Sequence, residues 1–154
     1  MISGIYDPTQ GDIFYKGRSL VTNKDYLFDN IGICQQENIF FDYLTVSEHL
    51  NYMCQIKGGD ANINEINELI IKIGLAEKSS SVCSTLSGGQ KRKLCTALAL
   101  IGKSNIVLLD EPTSGMDPIS KKSLWEFLKN YQKNKIILIT THSLDEAEYL
   151  GDRI

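Results

Sequence analysis

The chain lacks any apolar run approaching the ~20 residues that cross a bilayer, and no signal peptide is visible at its start. Any membrane role therefore belongs to another part of a longer polypeptide. It lacks a basic run interleaved with aromatics, and its formal net charge is −3, so a nucleic-acid surface is not favoured. Its four cysteines, Cys34, Cys54, Cys83 and Cys95, include no C-x-x-C pair. That disfavours a metal finger and points to a reduced setting with small buried thiols. Most telling, no G-x-x-x-x-G-K-[ST] phosphate loop occurs anywhere in the 154 residues.

What is present is ordinary in bulk. Hydrophobic residues make up 42% and charged residues 23%, a globular balance in a chain long enough for one domain with a real core. Two stretches stand apart from that background. Ser84-Thr85-Leu86-Ser87-Gly88-Gly89-Gln90 is a polar, glycine-bearing turn before the predicted helix Lys91 to Ile101. Free N–H groups and the positive end of the helix dipole make such a turn an anion site. Ile106-Val107-Leu108-Leu109 is an apolar run that ends abruptly in Asp110 and Glu111. Its length and boundaries predict a strand buried on both faces of a parallel sheet. The C-terminal ends of such strands are where open α/β sheets gather ligand chemistry.

Taken in order, Met1 to Tyr6 reads like the end of a helix capped by Gly4, and Asp7 to Gly11 like a turn. Asp12 to Lys16 suggests a short strand that turns back at Lys16-Gly17, and Ile31 to Cys34 a strand running into Gln35 and Gln36. Thr45 and Glu48 are placed as a capping box for a helix reaching about Lys57. Ile63, Ile66, Leu69, Ile70 and Ile73 repeat at a helical period, and Gly74 ends that helix. These two helices read as a small helical subdomain inserted into an α/β frame. Asp117 and Pro118 suit the N-cap and first position of a helix extending to about Tyr131. Lys135 to Thr140 predicts a second buried strand, with His142 just beyond it. Ser143 and Glu146 look like another capping box, and Asp152-Arg153-Ile154 reads as the start of a further strand. Both ends read as interrupted, so the expectation is an incomplete domain.

The chemistry predicted from these positions is phosphoryl transfer. Asp110 is suited to a magnesium ion and Glu111 to an attacking water as general base. His142, ending the neighbouring strand, belongs on the same sheet edge, where it can bond a phosphate oxygen or orient the water. Gln36 can reach metal or water through its amide oxygen. Phe40, Phe41 and Tyr43 either pack the core or form a docking surface for a partner.

The order of Gln36, Leu86-Ser87-Gly88-Gly89-Gln90, Ile106 to Asp110, Glu111, Ser114-Gly115-Met116-Asp117 and His142 resembles the ATP-binding cassette (ABC) ATPase domain. In that family these are the Q-loop, signature, Walker B, catalytic glutamate, D-loop and H-loop. Asp42-Tyr43-Leu44-Thr45-Val46, Arg92-Lys93-Leu94 and Asp145-Glu146-Ala147-Glu148 resemble the A subfamily, whose members mostly move lipids. Gln35 departs from the proline usual there, and Met116 from leucine or valine. The resemblance implies a P-loop-NTPase-like α/β core, residues 1–36 and 87–154, with a mainly parallel sheet and a helical subdomain at 37–86, truncated at both ends. It implies ATP and Mg2+ as cofactors, with Glu111 and His142 catalytic and Asp110 and Gln36 toward the metal. Gln36, Ser87, Gly88, Gly89, Gln90 and Asp117 fall to nucleotide binding. Implied partners are a second such domain in a head-to-tail dimer and transmembrane domains of the same or another chain, with no nucleic acid. The implied location is the cytoplasmic face of a membrane. The rival reading is a soluble ABC ATPase acting on ribosomes or DNA. The family's phosphate loop would lie a few residues before Met1, so these 154 residues alone are expected to bind ATP weakly.

Overall fold

In the computed structural model, residues 2–58, 62–102, 104–131 and 135–154 are described. Phe14–Tyr15 (β1) and Arg18–Ser19 (β2) form a minimal antiparallel hairpin. Lys16 and Gly17 turn it, both at positive φ, 48° and 75°, which is the two-residue turn that matches strand twist. A short helix, Lys24–Asn30 (α1), follows and buries only Leu27. The sequence reading missed it, because seven residues with one inward apolar side chain show no helical period. Residues 2–6 form turns rather than the end of a helix; Gly4 does take a left-handed φ of 74°.

Ile31–Cys34 (β3), Ile106–Asp110 (β4) and Ile136–Thr140 (β5) make one parallel sheet in the order β3-β4-β5. Ile31 pairs with Ile106 and Ile106 with Ile136, so all three strands run in step. β4, the middle strand, is buried as predicted at Ile106, Val107 and Leu109. β5 is not a buried strand. Ile136 and Leu138 are 50% and 43% exposed: burial alternates along β5, with Ile137 and Ile139 packed on the core and the opposite face open.

Val46–Ile56 (α2) begins at the predicted capping box: Thr45 Oγ1 accepts from Glu48 N, and Glu48 Oε2 accepts from Thr45 N. Ile63–Lys72 (α3) buries Ile66, Leu69 and Ile70 against it. Single 3-10 turns at Ala76–Lys78 and Cys83–Thr85 lead to Gly88–Leu100 (α4). α4 starts three residues before the predicted Lys91, so Gly88 and Gly89 are its first residues rather than a loop. Cys95, Ala97, Leu98, Ala99 and Leu100 are buried in it. Gly32 on β3 lets α4 sit directly on the sheet: a Cβ there would lie 1.8 Å from the Ala99 carbonyl oxygen. Lys57 ties α2 to the end of α4, its Nζ donating to Leu98 O, Ala99 O and Ser104 Oγ. Pro118–Tyr131 (α5) and Leu144–Leu150 (α6) complete the elements. One apolar cluster joins α2, α3, α4, β4 and α5, and a smaller one collects Tyr15, Leu20, Leu27, Ile31 and Ile106. Among the described residues no helix is long and apolar enough to cross a membrane.

Candidate active site

The in-step sheet decides which side chains meet. Cys34 pairs with Leu109 and Asp110 with Thr140. Gln36 and Glu111 therefore lie two residues beyond one matched pair, and His142 lies two beyond Thr140. All three leave the sheet at its C-terminal edge, where β–α connections of a parallel sheet place their ligands.

Glu111 is the centre of the group. Gln36 Nε2 donates to its Oε2 at 3.4 Å, and His142 Nδ1 lies 3.3 Å from its Oε1. Because a carboxylate only accepts, Nδ1 carries the hydrogen, and in neutral His142 this leaves Nε2 as an acceptor. Glu111 is one of two non-glycine residues among those described with positive φ, at 46°. That conformation costs an ordinary residue on the order of 1 kcal/mol and persists where surroundings impose it. Here they do: Glu111 N donates to Thr140 O at 3.0 Å, and its carbonyl accepts from Ser114 N at 3.0 Å. The left-handed turn ends β4 at Asp110 and leads into the turn closed by Ser114 N. Its side chain is 27% exposed and that of His142 73%, so the pair borders solvent.

Asp110 ends β4 and accepts a hydrogen bond from the Thr140 hydroxyl. Asp110 and the Gln36 amide are hard oxygen donors near one another in the sheet register. Among the described residues no cluster of three or more His, Cys, Asp or Glu side chains is poised to hold a metal. One carboxylate and one amide fit a magnesium ion, which takes few protein ligands and completes its shell with water and phosphate oxygens. They do not suit zinc, which prefers nitrogen and sulfur.

The other predicted nucleotide residues form a second group. Ser87 caps α4: its Oγ accepts from Gln90 N at 3.3 Å, and Gln90 Oε1 accepts from Ser87 N at 3.0 Å. Ser87 and Gly88 are exposed, and a Cβ on Gly88 would meet nothing within 4 Å. The first N–H groups of α4 thus open outward without intrahelical acceptors. The α5 N-terminus lies alongside, since a Cβ on Gly89 would be 3.8 Å from Ser120 Oγ. Asp117 caps α5, accepting from Ile119 N and Ser120 N. Hydrogen bonds from Ser120, side chain first, hold its carboxyl below the usual carboxylate range. No observed contact gives Asp117 a task beyond that cap.

Two buried ions were not anticipated as functional. Arg92 on α4 is 3% exposed and spends its whole guanidinium on backbone. Nε donates to Pro112 O at 3.1 Å, Nη1 to Gln35 O and to Gln36 O at 3.0 Å, and Nη2 to Asp110 O and to Glu111 O at 2.9 Å. Glu146, 1% exposed, is not half of a capping box. Ser143 caps Glu146 N, but Glu146 Oε1 accepts from Thr113 Oγ1 at 2.9 Å and Trp125 Nε1 at 2.8 Å. It thereby ties α6 to α5 and to the turn after Glu111. Arg92 carried no local signal, because it stands between Lys91 and Lys93 before the apolar stretch of α4; Glu146 had none, because its spacing from Ser143 suits a cap equally well.

Beside Gln35 lies a groove of about 400 Å³ lined mainly by Ile39, Phe40, Phe41, His49, Met53 and Leu98. Phe40 is half-buried against the core, whereas Phe41 and Tyr43 are 55% and 92% exposed. Of the aromatic run, Phe40 thus packs the core, while Phe41 and Tyr43 stay at the surface.

The family profile described as ABC transporter matches residues 1–114 of this sequence. The chain belongs to the ABC transporter family. Over its whole length it is 46% identical to ABC transporter A family member 6 of Dictyostelium discoideum, of which it covers 10%. It is 41% identical to the retinal-specific phospholipid-transporting ATPase ABCA4 of Mus musculus, covering 7%. Against the phospholipid-transporting ATPase ABCA3 of Rattus norvegicus it is 39% identical and covers 9%. The chain thus spans a tenth or less of the length of these A-subfamily relatives. Among solved structures, it matches one described as the ATP binding subunit of an ABC transporter. The TM-score is 0.81 at 26% identity, covering 97% of this chain and 63% of that one. Its α/β architecture is therefore that of an ABC ATP-binding core.

Proposed function

We propose that this chain is the ATP-hydrolysing part of an A-subfamily ABC transporter that moves lipids across a membrane. The observation that carries the reading is Glu111, held between Gln36 and His142 at 3.4 and 3.3 Å on the C-terminal edge of the sheet. Glu111 acts as general base toward the attacking water, an effect typically worth ~10²–10⁴ in rate. Gln36 and His142 orient its carboxylate through opposite oxygens. His142 also orients the attacking water, its Nε2 accepting from it, and Asp110 with Gln36 would hold Mg2+. Bound MgATP supplies the cleavable phosphoanhydride and the cation that offsets its charge. Ser87, Gly88, Gly89 and Gln90 face outward toward the nucleotide of a second, head-to-tail domain, and Asp117 lies at that same contact. The helical segment 37–86 forms a subdomain on the core of 1–36 and 87–154. Its groove beside Gln35, with exposed Phe41 and Tyr43, receives a transmembrane domain of the same or another chain at the cytoplasmic face. The transport-named relatives favour this over a soluble ABC ATPase.

The test is Glu111→Gln in the intact polypeptide. ATP turnover should fall by roughly 100-fold or more while ATP binding persists and the ATP-bound state accumulates. Turnover at the parent rate would remove Glu111 from the role.

A further inference from the structure

The five carbonyls that Arg92 binds belong to two separate chain segments. Gln35 and Gln36 follow β3; Asp110, Glu111 and Pro112 follow β4. A guanidinium carries five N–H donors in a fixed planar fork, and here each carbonyl receives one. Between Cys34 and Gln36, and between Asp110 and Pro112, the sheet no longer sets the spacing, because its β3–β4 pairing ends at Cys34 and Leu109. Arg92 takes over where the ladder stops. It also binds the carbonyl of Glu111, the residue whose backbone must hold the positive φ of 46°. A buried cation facing only neutral carbonyls is expensive to desolvate unless its hydrogen bonds are complete, so this fork is a demanding way merely to fill space.

Resting on the proposed function, we propose that Arg92 is a positioning residue for the hydrolytic step: it fixes the Gln36 amide and the Glu111 carboxylate at their working separation. It touches neither water nor phosphate and acts through the backbone of both.

The experiment compares the intact parent protein with Arg92→Lys. An ammonium has three donors from one point, so it keeps the charge but cannot span both segments. We expect KM for ATP within about threefold of the parent, a melting temperature lowered by several degrees because buried carbonyls lose their donors, and kcat lower by about 10- to 100-fold, the scale of a misplaced reacting group. The second measurement repeats the change in a Gln36→Ala background. There Arg92→Lys should cost less than about threefold more in kcat, because groups acting as one unit do not add. Where R92K protein does not accumulate, Arg92→Gln, with its planar amide, takes its place in both arms; if neither folds, Arg92 is a core support and the proposal falls. A parent without ATPase activity overturns the proposed function and this inference together. A parent that hydrolyses ATP overturns this inference alone in either of two cases: R92K keeps its kcat, or its loss in kcat is undiminished in the Gln36→Ala background.

Discussion

The sheet edge and the signature turn spend their polar groups in opposite ways. At the edge, partners come from far apart in the chain: Gln36 reaches Glu111 across 75 residues, Glu111 N reaches Thr140, and Arg92 reaches 57 residues back to Gln35. At the turn, Ser87 and Gln90 satisfy one another within three residues. The edge is assembled by tertiary structure and is internally occupied. The turn is assembled locally and keeps its helix N-terminus directed outward. A locally closed, outward-facing helix N-terminus is suited to something another molecule brings, as the proposed head-to-tail arrangement requires.

That contrast can be broken at several points. The largest effect should come from Gly32→Ala, whose added Cβ would meet the Ala99 carbonyl at 1.8 Å. Forcing α4 off β3 should cost about 3 kcal/mol, the upper end of overpacking, and displace Arg92 with it; denaturant unfolding measures this, and a parent-like midpoint would refute the close seating of α4. Next, His142→Ala should lower kcat by about 100-fold, as for loss of an acid–base partner, with a melting temperature close to the parent because the side chain is 73% exposed. Ser87→Ala removes only a local cap and should cost about 1 kcal/mol, read as a few degrees in thermal melting. If Ser87→Ala unfolds the protein, the turn is not the self-contained unit described.

The smallest effect concerns His49, buried between Phe40, Phe41 and Cys83. Burial pushes its pKa below the ordinary histidine value. The unfolded chain therefore takes up the proton first, so stability is full above about pH 6.5 and declines as pH falls below it, through the lowered folded value. His49→Gln should flatten that part of the stability–pH curve; an unchanged slope would show that folding does not lower the His49 pKa.

How far the sequence reveals this depends on the range of each interaction. The capping box of Thr45 and Glu48, the α3 period and the β4 run were legible, because each is decided within a few residues. The edge was legible too, since parallel strands in step place residues at equal offsets beside one another. α1 was not, with a single buried leucine. The half-exposure of β5 was not, because four consecutive apolar residues look the same with one face covered as with two. Arg92 and Glu146 were missed as hubs because what each binds lies on other elements, and their local spacing fits a solvated face or a cap equally well.

Ser87 caps the 13-residue helix on which Arg92 stands, five residues and so about 7.5 Å of rise away. In a head-to-tail pair, the first would meet the neighbour's nucleotide while the second grips the frame around this domain's own base. α4 then behaves as a push-rod: whatever shifts it at one nucleotide alters the alignment at the other, with no through-space contact between them.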